Sequence, residues 1–212
     1  QKQQMLEVTQ QLSAQGYRVL AVAKSAKSYD KFPATQAEFD YTFLGLIAFS
    51  DPPKKNTASI ITSFYQAGIG VKMITGDYAP TAIAIAKQIG IQNHQAVLTG
   101  DEIMLMDAVT IQEKVKATNV YARMFPEAKL KVIEAFKRNG EVVAMTGDGV
   151  NDGPALKAAH IGIAMGQRGT EIAKQAASLI LTDDNLQHMV EAVALGRRIY
   201  EKLKKAIRYI IS

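Results

Sequence analysis

The amino-acid sequence predicts an α/β fold, a mostly parallel sheet with helices on both faces. Three observations carry that expectation. Between residues 55 and 181, short apolar runs alternate with amphipathic stretches, the rhythm of repeated β-α units. Stretches with helical spacing stop on glycine, at Gly68 and near Gly140. Two apolar runs end in nearly the same words, Met73-Ile74-Thr75-Gly76-Asp77 and Met145-Thr146-Gly147-Asp148-Gly149, at the strand ends where such sheets collect ligands.

Taken in order, residues 2–15 place Met5, Leu6, Val8 and Leu12 at spacings that suit a helix ending at Gly16. Residues 17–23 (YRVLAVA) and 43–49 (FLGLIAF) read as buried strands joined by a polar loop. Asp51-Pro52-Pro53 is a rigid joint, because adjacent prolines fix two φ angles and remove two donors. Residues 55–67 suit a helix with Ile60, Ile61 and Phe64 on one face. A strand at 70–75, a helix at 81–89 and short strands at 96–98 and 119–121 follow. Pro126 and Glu127 open a helix over 126–138, as helix starts prefer. A strand at 141–145, a helix at 151–159, a strand at 161–164, a helix at 170–176 and a strand at 177–181 complete the alternation. From Asn185 onward one long helix is expected.

Composition narrows the function classes. A chain of 212 residues with 48% hydrophobic content can bury the core of one domain, or of one domain and part of a second. The charged fraction of 21% excludes a disordered chain. There is no cysteine, which excludes a disulfide framework and thiolate metal sites. No apolar run reaches bilayer-spanning length, and Gln1-Lys2-Gln3-Gln4 carries no signal region. The net charge of +5 is gathered toward the end, at Arg197, Arg198, Lys202, Lys204, Lys205 and Arg208. Without a recognition motif this block argues against nucleic acid. It suits a solvated helix face or the cytoplasmic side of a membrane.

The strand ends carry the chemistry. Glycine lets backbone N–H groups approach an anion, and a threonine hydroxyl can bond a phosphoryl oxygen. A single Thr-Gly-Asp is equally an ordinary turn and cap. The second copy extends to Gly147-Asp148-Gly149-Val150-Asn151-Asp152-Gly153-Pro154, placing two carboxylates and an amide directly after a buried strand. Such hard oxygen donors suit Mg²⁺ with water and a phosphate completing its shell. Lys129 sits in the first turn of the 126–138 helix, where a cation is unfavourable unless an anion compensates it. His94 and His160 have no partner at ligand spacing and read as structural or solvent-facing.

These residues resemble the motifs of P-type cation-transporting ATPases, in the family's order. The matching segments are Asp51-Pro52-Pro53-Lys54, Met73-Ile74-Thr75-Gly76-Asp77, Tyr121-Ala122-Arg123, Pro126-Glu127-Ala128-Lys129, Thr146-Gly147-Asp148-Gly149-Val150-Asn151-Asp152 and Asp183-Asp184-Asn185. The resemblance implies a Rossmann-like phosphorylation domain of the haloacid dehalogenase superfamily, in the calcium- and sodium-pump-like branches. It implies Mg²⁺ and ATP as cofactors, with Thr75 and Gly76 contacting the phosphoryl group and Lys129 neutralising it. Asp77 would order its loop, Asp148 would hold Mg²⁺, and Asn151 and Asp152 would support the metal site. Asp51, Lys54 and Arg123 would border the nucleotide.

The resemblance also divides the chain. Residues 1–50 are similar to the end of a nucleotide-binding domain, 51–185 to the phosphorylation domain, and 186–212 to a stalk helix leading toward a transmembrane segment. Partners would be the rest of the parent pump: its nucleotide-binding, actuator and transmembrane domains, with the transported cation bound outside this portion. This would be a cytoplasmic portion of an integral membrane protein. The family's phosphorylated aspartate stands in Asp-Lys-Thr-Gly-Thr, which these residues lack. The strand carrying that nucleophile is therefore expected to be missing, leaving an inactive fragment whose sheet is repaired internally or by oligomerisation. Other departures are Lys54 where arginine is common, His160 for a carboxylate, Gly153 for alanine, and Phe125 at a smaller or polar position.

Two alternatives remain at this stage. A stand-alone phosphatase of the same superfamily would need Asp30, Asp40 or Asp51 as nucleophile, and none lies in a suitable motif. A non-catalytic nucleotide-binding module would need neither Mg²⁺ nor Asp148.

Overall fold

The computed structural model describes residues 2–25 and 32–211. An N-terminal unit comprises helix α1 (Lys2–Ala14) and strands β1 (Arg18–Lys24) and β2 (Thr42–Phe49). The two strands pair antiparallel, from Arg18 opposite Phe49 to Lys24 opposite Thr42, with a bulge between Val22 and Ala23. The expectation of buried strands fails here, because Leu20, Phe43, Leu44, Ile47 and Phe49 are exposed.

The remaining elements alternate as expected. They are α2 (Thr57–Gln66), β3 (Met73–Ile74), α3 (Ala79–Gln88), β4 (Val97–Thr99), α4 (Gly100–Leu105), α5 (Ala108–Ala117), β5 (Val120–Ala122) and α6 (Pro126–Arg138). After α6 come β6 (Ala144–Gly147), a 3₁₀ turn (Val150–Asp152), α7 (Gly153–Ala158), β7 (Ile161–Met165), α8 (Glu171–Ala176), β8 (Leu179–Leu181) and α9 (Gln187–Ile211). Two helices, α4 and α5, stand where none was expected. Thr99 and Glu102 form a reciprocal capping box at the start of α4, and Asp107 caps α5 by accepting from Thr110 N.

All strands of this larger unit pair in parallel, which confirms the fold class. They form two three-stranded sheets, ordered β3-β5-β4 and β6-β7-β8. The two edge strands β3 and β6 each have one recorded partner, β5 and β7 respectively. Of the two repairs expected, the internal one is not seen among the described residues: β3 and β6 do not pair with each other, and β1 and β2 pair only together.

Helix α6 joins the two sheets. Its first turn has Pro126 and Glu127 and its last has Lys137 and Arg138, each charge opposing the helix dipole. Val132 packs with Leu98, Ile103, Ile111, Val115 and Tyr121, whereas Ile133 packs with Met145, Leu156, Ala164 and Ala173. Ile74 of β3 leans against both of these clusters. A third cluster, with Ile61, Ala82, Ala86, Ile91 and Val120, lies beneath α2 and α3.

Helix α9 buries no residue. Leu195, Ile199, Leu203, Ile207 and Ile211 recur every fourth position and are exposed. Among the described residues, no helix is long and apolar enough to cross a membrane.

Candidate functional site

The loop after β3 is tied to the chain that leads into α6. Thr75 N donates to Tyr121 O (2.9 Å), Met124 N to Thr75 O (3.0 Å) and Arg123 N to Asp77 O (2.9 Å). Within the loop, Thr75 Oγ1 donates to Asp77 Oδ2 (3.0 Å) and accepts from Asp77 N (3.1 Å). Asp77 therefore orders the turn while Gly76 is left exposed beside it. Arg123 has φ 52°, and its guanidinium lies 5.3 Å from the centre of the Tyr78 ring.

The loop after β6 closes on Asp152. One carboxylate oxygen accepts from Asp148 N (3.2 Å) and Gly149 N (3.1 Å), and the other accepts from Lys129 Nζ (2.7 Å). Asp152 and Lys129 are both largely buried, so each satisfies a charge that would otherwise be costly. The loop can wind this tightly because position 147 is glycine: a Cβ there would meet Asp152 Cβ at 2.5 Å. Asp148 and Asn151 are exposed, and among the described residues neither side chain has a hydrogen-bond partner.

The structure thus gathers Thr75, Gly76, Asp77 and Arg123 at one strand end and Lys129, Asp148, Asn151 and Asp152 at the other. The Met124–Thr75 bond and the first turn of α6 connect the groups. Lys54 is placed elsewhere, donating to Asp184 O (3.2 Å) at the turn after β8, and Asp51 is exposed on the joint before it. Asp30 lies outside the described residues. Asp40 and Asp51 lie in coil on either side of β2.

No group of three or more His, Cys, Asp or Glu side chains converges as a metal cage among the described residues. Mg²⁺ does not need one, since it keeps water and binds through one or two carboxylates plus phosphate oxygens. The unpartnered carboxylate of Asp148 and the Asn151 amide oxygen fit that requirement, whereas both oxygens of Asp152 are already engaged by donors.

Sequence reasoning missed Arg18. Its Nε and Nη2 both donate to Asp77 Oδ1, at 2.9 and 2.7 Å, across 59 positions of sequence. Nothing local marks that contact; an arginine opening a strand whose next five residues are apolar is its only sign. A third Thr-Gly-Asp, at Thr99-Gly100-Asp101, was also passed over. There Thr99 accepts from Glu102 N and donates to Glu102 Oε2, so its hydroxyl serves the cap of α4. Phe125 turns its ring toward Gly100 and packs on the core, away from the loop after β6. His160 Nδ1 accepts from Val143 N (3.1 Å), a structural role.

Residues 4–160 match the family described as haloacid dehalogenase-like hydrolase. The chain belongs to the haloacid dehalogenase-like hydrolase family. Its relatives share the resemblance across nearly all of its length. A probable cation-transporting ATPase F of Mycobacterium tuberculosis is 43% identical over 98% of the chain and 24% of its own length. Calcium-transporting ATPase 1 of Lactococcus lactis is 46% identical over 94% of the chain and 23% of its own length. Calcium-transporting ATPase type 2C member 1 of Bos taurus is 40% identical over 99% of the chain and 22% of its own length. This haloacid dehalogenase-like chain spans about a quarter of the length of the curated relatives it matches.

Proposed function

We propose that the chain is the phosphorylation-domain portion of an ATP-driven cation pump whose parent protein forms an aspartyl phosphate. The alignment with cation-transporting ATPases supports the reaction class. The observation that carries the site is the contrast within one loop: Asp152 is locked by Lys129 and two backbone amides, while Asp148 stands unpartnered beside it.

In this reading Asp148 holds Mg²⁺, and Asn151 lies where it can bond the ion or one of its waters. Bound there, Mg²⁺ would supply positive charge for the phosphoryl oxygens. Asp152 acts as a positioning residue. Its carboxylate fixes the Asp148 backbone and holds the Lys129 ammonium beneath the loop, from where that ammonium would turn from carboxylate to phosphoryl oxygen. Thr75 offers its hydroxyl and Gly76 its unobstructed backbone to the same group, with Asp77 holding their turn. Arg123 and Arg18 present guanidinium groups next to that turn, suited to a polyphosphate.

The nucleophile would come from an extended strand seated between β3 and β6, the two inner edges of the split sheet. The coding sequence around this segment in its gene tests the whole reading. An Asp-Lys-Thr-Gly-Thr segment upstream and apolar helices of membrane length downstream are expected. A gene that encodes only these residues would overturn it.

A further inference from the structure

We propose that His188 is a proton-operated clasp joining the turn after β8 to the first turn of α9, closed while the imidazole is protonated. The ring stands between two carboxylates. Nε2 lies 3.0 Å from Asp183 Oδ2, and Nδ1 lies 3.0 Å from Glu191 Oε2. A neutral imidazole has one N–H, so one of these contacts would set a nitrogen lone pair against a carboxylate oxygen. Both contacts are favourable together only for the imidazolium, which donates from each nitrogen. Hydrogen bonds to Glu191 and Asp183 accordingly hold the His188 pKa above its ordinary value.

The two carboxylates flank the junction between the turn and α9. Asp183 sits in a turn anchored to the fold: its Oδ1 accepts from Asn185 N, and Asn185 Oδ1 accepts from Gln187 N. The next residue, Asp184, is buried and accepts from Gln167 N, Arg168 N and Arg168 Nε. Glu191 belongs to α9, which buries none of its residues. His188 therefore adds a side-chain tie between the turn and α9, beside the Asn185 cap and the packing of α2 on the helix.

The surrounding charges leave this triad to itself. Lys54 donates to the Asp184 carbonyl, and Arg168 pairs with the Asp184 carboxylate. Helix α2, which packs against α9, contains no Asp, Glu, Lys, Arg or His. Because the folded His188 pKa is raised, its contribution is complete below the unfolded value of 6.5 and disappears as pH rises through the folded value. Asp183 is lowered, first by its hydrogen bond with His188, so its share is lost only as pH falls well into the acid range. The clasp is thus closed below the ordinary imidazole value and opens as pH rises through the raised folded value. It rests on the geometry of this turn and stands whether or not the pump reading holds.

The experiment is an NMR titration of the histidine side chains in the intact chain, with amide exchange measured alongside. His188 is expected to titrate above its ordinary value. Asp183→Asn and Glu191→Gln are each expected to lower that midpoint by about half a unit or more. Exchange protection of the first-turn amides of α9, corrected for intrinsic rates, should fall through the same midpoint, and should lose that pH dependence in His188→Gln. A midpoint unmoved by Asp183→Asn, or protection that ignores pH in the unmodified chain, would overturn the proposal.

Discussion

Lys129 and Asp152 meet at 2.7 Å, 23 positions apart, and form a largely buried ion pair beneath the loop after β6. Asp152 also accepts two backbone N–H groups from that loop. Asp152→Ala therefore strands a lysine and two amides at once, and a loss of roughly 3 kcal/mol is expected. Lys129→Met leaves the amide bonds intact and should cost less. Urea unfolding of both variants checks the order; equal losses would mean that the amide bonds contribute nothing.

Gly153 opens α7 in the right-handed helical region, and a Cβ added there would touch Ile172 Cγ2 at an ordinary 3.7 Å. Gly153→Ala should stabilise the chain by about 0.5–1 kcal/mol, since alanine loses less backbone entropy on folding. Thermal unfolding measures it, and a destabilised variant would show that the loop before α7 is tighter than described.

Glu102 gives the acid-side prediction. Its pKa is lowered by hydrogen bonds from Thr99, first from the backbone N–H and then from the hydroxyl. A carboxylate lowered on folding contributes stability above its unfolded pKa and loses it as pH falls through the folded value. Stability should therefore decline from pH 5 to pH 3 less steeply in Glu102→Gln than in the unmodified chain. Parallel declines in denaturant midpoints would count against the capping box.

The inner edges of β3 and β6 yield the fourth prediction, which depends on the proposed pump reading. Unpaired edge groups can be satisfied by an added strand. A synthetic peptide carrying the Asp-Lys-Thr-Gly-Thr strand should raise the melting temperature in a dose-dependent manner. A scrambled peptide with the same effect would rule out specific strand addition.

Much of this was legible in the sequence where the signal is local. Pro126 and Arg138 bound α6 where proline and the approach of Gly140 place them. The word Thr-Gly-Asp locates the two candidate loops, yet the same word at Thr99 serves a helix cap. Helices α4 and α5 escaped because their starts are written in caps, Thr99 with Glu102 and Asp107 with Thr110, more clearly than in apolar periodicity. The split of the sheet and the Arg18–Asp77 bond depend on pairing between distant segments, which composition and spacing do not record. The exposed face of the β1–β2 hairpin was misjudged for a related reason: apolar strands were assumed to be covered, and among the described residues little covers them.

The most direct test of the central claim is a Mg²⁺ titration followed by amide chemical shifts, which report weak binding residue by residue. Shifts should concentrate on residues 147–152. Asp148→Asn should weaken the apparent affinity by about tenfold or more, as expected when a hard cation loses its charged oxygen ligand. Asp183→Asn, on the turn after β8, should leave it unchanged. Equal affinities for the two variants, or shifts centred away from the loop after β6, would contradict the assignment of Asp148 as the metal-holding carboxylate.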